Sequence, residues 1–191
     1  MSAQDLANQA IYQSVELVPY DVRWPTQYEA ERDRLLQLFP VTFSAMEHIG
    51  STAVTGMAAK PIIDILAVVS SMDVADNVTA RLAECDYLFS ADFNAQLGDS
   101  RWLMKHSYGR RTHHLHMVLS GSKHWVDKIR FRDLLRADPG LARKYVALKR
   151  ELAQNYSRDR EAYTEAKASF VRDALALLAN RSMQPTAGSG G

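Results

Sequence analysis

The stretch His48-Ile-Gly-Ser-Thr-Ala-Val-Thr-Gly-Met-Ala-Ala-Lys-Pro-Ile-Ile-Asp-Ile-Leu-Ala-Val-Val69 decides how this chain is read. Its second half, Pro61 to Val69, is β-branched and apolar on both faces, which predicts a central strand covered on each side. Asp64 interrupts that run. A lone ionised carboxylate inside an apolar strand is costly without a cation or several donors. Gly50-Ser51 lies thirteen residues before Asp64, where a predicted strand over Val41 to Ile49 ends. A Gly-Ser turn at a strand end can offer backbone N–H groups and a hydroxyl to a phosphate. A carboxylate on the next strand can hold a Mg²⁺ ion that bridges to that phosphate. The plainer alternative is a strand-ending turn beside a salt-bridged aspartate. Lys60, four residues before Asp64, either neutralises a phosphate or pairs with Asp64.

Upstream, Val15 to Tyr20 reads as an extended entry segment, and Pro25 suits the first turn of a helix running to about Phe39. Downstream, a short helix is expected over Ala53 to Ala59, and Ser71 can cap another over Met72 to Cys85. Tyr87 to Phe93 reads as a strand followed by a loop. Arg101 to His106 and Thr112 to Ser120 read as two strands joined through Ser107-Tyr-Gly-Arg-Arg111, with glycine in the turn. After Gly121 the spacing becomes helical over Lys123–Ala137, Pro139–Tyr156 and Arg160–Asn180. The fold class is therefore α+β: a small mixed sheet flanked by helices, β-rich over about 15–120, with a helical C-terminal half over about 122–180. One domain is expected over residues 1–182, followed by a linker-like tail over 183–191.

The run Arg110-Arg-Thr-His-His-Leu-His116 is the second chemical feature. Strand alternation puts Thr112, His114 and His116 on one face and His113, Leu115 and Met117 on the other. Two neutral imidazoles roughly 6–7 Å apart on one open face can bind a metal, donate to phosphate oxygens, or act as acid and base. Partly exposed, solvated histidines are the alternative. Arg110 and Arg111 suit bidentate phosphate contact or simply solvated charge. In the helical half, Tyr163, Lys167 and Phe170 share a face. Phe170 is expected in the core, and Lys167 must snorkel or meet an anion. Arg132 is expected to reach toward the site, and Arg136 to cap its own helix end.

Composition narrows the classes. Twenty-three basic against twenty-two acidic residues, a formal charge of +1, argue against a whole-protein electrostatic grip on nucleic acid. The single cysteine, Cys85, excludes an internal disulfide and suits a reducing compartment. Met1 to Val18 shows no secretory leader, and the longest apolar run falls far short of the roughly 20 residues that span a bilayer. A cytoplasmic protein with no membrane partner is expected.

Glu47-His-Ile-Gly-Ser-Thr-Ala-Val54, Ala59-Lys-Pro-Ile-Ile-Asp-Ile65, His113-His-Leu-His116, Phe131-Arg-Asp-Leu-Leu-Arg136 and Tyr163-Thr-Glu-Ala-Lys167 appear in this order over roughly residues 15 to 180. In that order they resemble the GrpB family, nucleotidyltransferase-like proteins whose domain is also found fused to dephospho-CoA kinases. The resemblance implies a nucleotide or other phosphate-bearing ligand and a divalent cation, Mg²⁺ or Mn²⁺, with Zn²⁺ as a further option. It implies Gly50, Ser51, Thr52, Lys60, Arg111, Arg132 and Tyr163 as ligand contacts. Asp64, His114, His116 and Lys167 would be the catalytic set, with Asp64 and His116 on the metal. Working nucleotidyltransferases usually carry a second carboxylate two residues after the first; here that place is Leu66. Glu47, Asp92 and Asp99 are the candidates to replace it. A transferase and a nucleotide- or coenzyme A-binding module without turnover are both compatible with that set, and an RNA-binding adaptor has little beyond the arginines to support it.

Overall fold

The structure is a computed structural model that describes residues 14–156 and 160–183, with backbone alone at 160–161 and 179–183. Helix α1, Trp24–Leu38, carries Pro25 in its first turn, where a missing N–H breaks no helical bond. Strand β1, Ala45–Ile49, runs into a 3₁₀ turn, Ser51–Ala53, and then β2, Ile63–Val69. Helix α2, Met72–Ala83, follows with Ser71 as its cap, accepting from the Val74 N–H at 3.2 Å. Strand β3 is Tyr87–Phe89, helix α3 Ala91–Ala95, β4 Ser100–Ser107 and β5 Arg110–Leu119. Three helices complete the described chain: α4, Lys123–Ala137; α5, Pro139–Asn155; and α6, Arg160–Met183.

The strands form one five-stranded sheet in the order β1-β2-β5-β4-β3. The β2–β5 pair is parallel and the other neighbours are antiparallel, so the sheet is mixed. One face is sealed by α1 and α2, and Leu35, Ile65, Ala67, Leu82, Leu103, Leu115 and Met117 there are completely buried. Side chains on the other face meet the C-terminal helices over only part of its width. Ile49, Leu66 and Val118 pack against Trp125 and Ile129 of α4, whereas Trp102 and Met104 of β4 line open space that the last helix borders through Val171 and Leu175. This uneven cover opens a cleft. Among the described residues no helix is long and apolar enough to cross a membrane.

Several boundaries differ from the sequence expectation. β1 begins at Ala45, not Val41, because its partner β2 ends at Val69 and offers no ladder beyond the Ser44 N–H to Val68 carbonyl bond. The expected helix over Ala53 to Ala59 is a 3₁₀ turn followed by irregular chain, and Ala59 bridges back to Val18. Strand β3 stops at Phe89, where Ser90 caps α3 in place of the expected strand to Phe93. The β4–β5 hairpin turns on Tyr108-Gly109 alone, both at positive φ as a twist-matched two-residue turn requires, so Arg110 and Arg111 already belong to β5. Residues 184–191, read as tail, lie outside the described residues.

Candidate functional site

Asp64 and His114 meet because the parallel β2–β5 register sets their Cα atoms opposite one another, on the face that the cleft exposes. His114 Nδ1 lies 2.9 Å from Asp64 Oδ1, and His116 Nε2 lies 3.8 Å from the same oxygen. Burial pushes the His114 imidazole down, against the pull of Asp64. Burial and then the Lys128 ammonium bring His116 down to about 4. Burial would raise the Asp64 carboxyl, but the hydrogen bond from His114 and the nearby His116 imidazole override it and hold the group well below the usual carboxylate range. At neutral pH the pair is therefore a carboxylate accepting from the Nδ1–H of a neutral imidazole. That leaves His114 Nε2 as a lone pair, buried and without a partner among the described residues.

Gly50 stands against the other carboxylate oxygen. With φ +73° and ψ −171° it occupies a region that is essentially glycine-only, and a Cβ built there would fall 2.3 Å from Asp64 Oδ2. The turn that follows is clamped from the helical half. Lys149 of α5 donates from Nζ to Ser51 Oγ at 3.0 Å and to the Ala58 carbonyl at 2.6 Å. Arg136 of α4 donates from Nε and Nη2 to the Ala53 carbonyl at 3.0 and 2.9 Å. Lys149 is 2 % exposed, and burial together with the nearby Lys167 charge brings its amine down to about 7.

Around this turn the cleft wall is cationic. Tyr163 carries the Lys60 and Lys167 ammonium groups 4.7 and 4.2 Å from its ring centroid, and Lys149 lies 5.1 Å from the ring centroid of Tyr145. Across the Asp64–His114 pair the wall becomes aromatic, with Trp102 and Phe93. The cleft encloses about 1300 Å³, above the usual range for a drug-sized ligand and ample for a nucleotide. Its chemistry is a base oriented by a carboxylate, set between a lysine-rich end and an aromatic end.

The family model described as GrpB protein matches residues 14–177. The chain belongs to the GrpB family. The UPF0157 protein YqkA of Bacillus subtilis is 32% identical over 160 residues, which cover 84% of this chain but 46% of YqkA, so the chain spans less than half of that relative. A dephospho-CoA kinase of Mycolicibacterium paratuberculosis is 31% identical over 183 residues, 84% of this chain and 45% of the kinase. Among solved structures, the conserved protein GrpB from Enterococcus faecalis superposes with a TM-score of 0.78 at 29% identity, covering 88% of this chain and all of that one. The mixed α+β architecture is thus shared with a GrpB crystal structure.

Within this GrpB fold Gly50, Ser51, Lys60, Asp64, Arg111, His114, His116, Tyr163 and Lys167 all line the one cleft. Two expected ligand contacts are otherwise engaged. Thr52 is 1 % exposed; its hydroxyl donates to the Ile62 carbonyl at 3.3 Å and accepts from His48 Nε2 at 3.0 Å, stapling the turn to the start of β2. Arg132 reaches the cleft roof, but its guanidinium binds Glu47 Oε2 at 2.6 Å, the His48 carbonyl at 3.0 Å and Asp133. It ties α4 to β1. Arg136 does not cap its own helix, since the Ala53 carbonyl takes its guanidinium instead. Phe170 packs in the helical core on Tyr145, as expected.

Lys149, Lys128 and Trp102 escaped the sequence reading. Lys149 had a signal: it follows Tyr145 by four residues on the apolar stripe that continues to Leu152, the same pattern that singled out Lys167. Trp102 pairs with His116 across β4–β5, which no single-strand pattern reveals.

The divalent ion that the family resemblance implies meets a sparse donor set. Asp64 already bonds His114 through one oxygen and packs the other on Gly50. Leu66, at the place of a second carboxylate, is fully buried under Trp125 and Ile129. Glu47 pairs with Arg132, Asp99 with His124, and Asp92 sits in the first turn of α3. Among the described residues no three His, Cys, Asp or Glu side chains are grouped to hold a metal. Two Mg²⁺ ions, which need several anionic oxygens, do not fit this set.

Proposed function

We propose that this chain binds a nucleotide-type phosphate ester in the cleft and transfers its nucleotidyl or a related phosphoryl group to a small acceptor. The observation that carries the reading is the Asp64–His114 pair beside the Gly50–Ser51 turn, with Lys60, Lys149 and Lys167 at the same end of the cleft. Phosphoryl chemistry demands positioning and positive charge more than covalent help from the protein. Lys60 and Lys167 supply charge at the end where a polyphosphate leaving group would sit, and Lys149, brought down to about 7, is charged there only in part at neutral pH. With a nucleoside triphosphate, the acceptor oxygen bonds the α-phosphorus and the bond to pyrophosphate breaks. Pyrophosphate leaves with the electron pair, and the acceptor proton passes to His114 Nε2. Asp64 fixes the His114 tautomer and stabilises the imidazolium that forms. A single softer ion such as Mn²⁺ or Zn²⁺ on Asp64 and His116 belongs to the same proposal, and calorimetry of Asp64→Asn tests it: unchanged metal affinity removes that part.

A binding module without turnover is the second reading, favoured by the sealing of Leu66. Thermal-shift titration with nucleoside triphosphates and coenzyme A, with and without Mn²⁺, separates the two. Ligand at a hundredfold excess over its Kd raises stability by about 2.7 kcal/mol. The transferase reading expects a metal-strengthened shift with a triphosphate that Lys149→Met reduces, and release of pyrophosphate that His114→Asn abolishes. A shift without any turnover favours the module, and no shift with any of these ligands overturns both.

A further inference from the structure

The aromatic end of the cleft has no task in holding phosphate. Trp102 stands on the cleft face of β4 with its ring centroid 5.0 Å from that of His114, so the imidazole lies between Trp102 and Asp64. Phe93 meets the indole at a 64° interplanar angle with centroids 5.2 Å apart, and the Arg111 guanidinium lies 6.0 Å from it. This platform is fixed through the main chain. Asn94, 3 % exposed, donates from Nδ2 to the Trp102 carbonyl at 2.9 Å and accepts from the Trp102 N–H at 2.7 Å. Helix α3 therefore cannot leave β4 without breaking both bonds, while Phe93 remains 39 % exposed beside the ring.

An in-line displacement at phosphorus sets the direction of approach. The leaving group and the attacking oxygen lie on opposite sides of the phosphorus. If the polyphosphate occupies the Lys149 and Lys167 end, the acceptor arrives from the Trp102 end, past His114. We infer that Trp102, with Phe93 and Arg111, forms the acceptor subsite, and that the acceptor is a flat-ringed alcohol, neutral or anionic. This rests on the transfer reading above. Its ring stacks on the indole and its hydroxyl faces the His114–Asp64 pair. Arg111 and Lys128, which line this side, disfavour a polycationic acceptor such as an aminated sugar.

The test titrates full-length protein by calorimetry with two kinds of probe. Inorganic tripolyphosphate reports the lysine end. The four ribonucleosides and pyridoxine, added with tripolyphosphate saturating, report the aromatic end. At least one ring alcohol is expected to bind, and Trp102→Ala should weaken it at least about fivefold, the low end of base–aromatic stacking, with tripolyphosphate affinity unchanged. Lys167→Met should do the reverse. Trp102→Leu, which keeps apolar bulk, guards against a variant that fails to fold and should also lose the ring alcohol. The inference is overturned if tripolyphosphate binds but no ring alcohol does, if both Trp102 variants keep wild-type affinity, or if an aminated sugar binds this end instead. Absence of tripolyphosphate binding overturns the transfer reading itself, and with it this subsite.

Discussion

At Gly50 the absence of one carbon atom lets a carboxylate lie against the Gly50–Ser51 turn. A Cβ there meets Asp64 Oδ2 at 2.3 Å on a backbone that only glycine adopts readily. Gly50→Ala is therefore expected to lower stability by about 1–3 kcal/mol, read by urea denaturation, and to remove phosphate binding. Wild-type stability would contradict the close packing. Lys149 supplies a second prediction. Its amine titrates near 7 in the folded chain and at 10.5 when unfolded, so between those values the unfolded state binds more protons and stability rises with pH. Lys149→Met lacks this dependence. From pH 7 to 10 the wild type should gain on the variant by on the order of a few kcal/mol, and a pH-independent difference would show that the amine is not held neutral. That His114 and His116 share a face was legible in the sequence from strand alternation, whereas their meeting with Asp64 is set by the β2–β5 register. Lys149 was not found, since its significance depends on which helix meets the turn.

The 3₁₀ turn Ser51–Ala53 shows how one element is held by another. Three cations from the helical half, Arg132, Arg136 and Lys149, bind main-chain carbonyls between His48 and Ala58, and Thr52 closes the turn from inside. Arg136→Met leaves the Ala53 carbonyl without its guanidinium. The expected loss is about 1–3 kcal/mol of stability and a several-fold weaker tripolyphosphate affinity, measured on the same samples. Loss of stability with unchanged affinity would mean the clamp does not shape the site. At this scale β2 and the three C-terminal helices could be read from apolar period alone. The start of β1 and the end of β3 could not. β1 is limited by the length of its partner β2, and β3 gives way to a short helix secured by Asn94 to the main chain of Trp102, a contact eight residues away in sequence.

Across the whole molecule, two helices seal one sheet face while three cover the other only in part, and the cleft is what that asymmetry leaves. The same packing buries His48 and partly buries His113 and His116, each brought down to about 4, chiefly by desolvation. Their unfolded value is 6.5, so between pH 6.5 and 4 the unfolded chain binds more protons and stability falls as the solution is acidified. Each such proton contributes about 1.4 kcal/mol per pH unit at most. Urea midpoints taken between pH 7 and 4.5 should drop steeply; a flat profile would mean that these imidazoles are charged in the native state. The α+β class and family membership were legible because the motifs keep their order along the chain. The cleft itself was not, because it is made by helices that arrive from more than eighty residues beyond the turn they clamp. The most direct test of the account is therefore local: follow the backbone amide resonances of Gly50 and Ser51 by NMR during titration with tripolyphosphate at pH 7. The account predicts that these two amides shift early and saturate together with those of Lys60 and Lys149, and that the response weakens in Lys149→Met. Stationary Gly50 and Ser51 amides, while others move or none do, would contradict it.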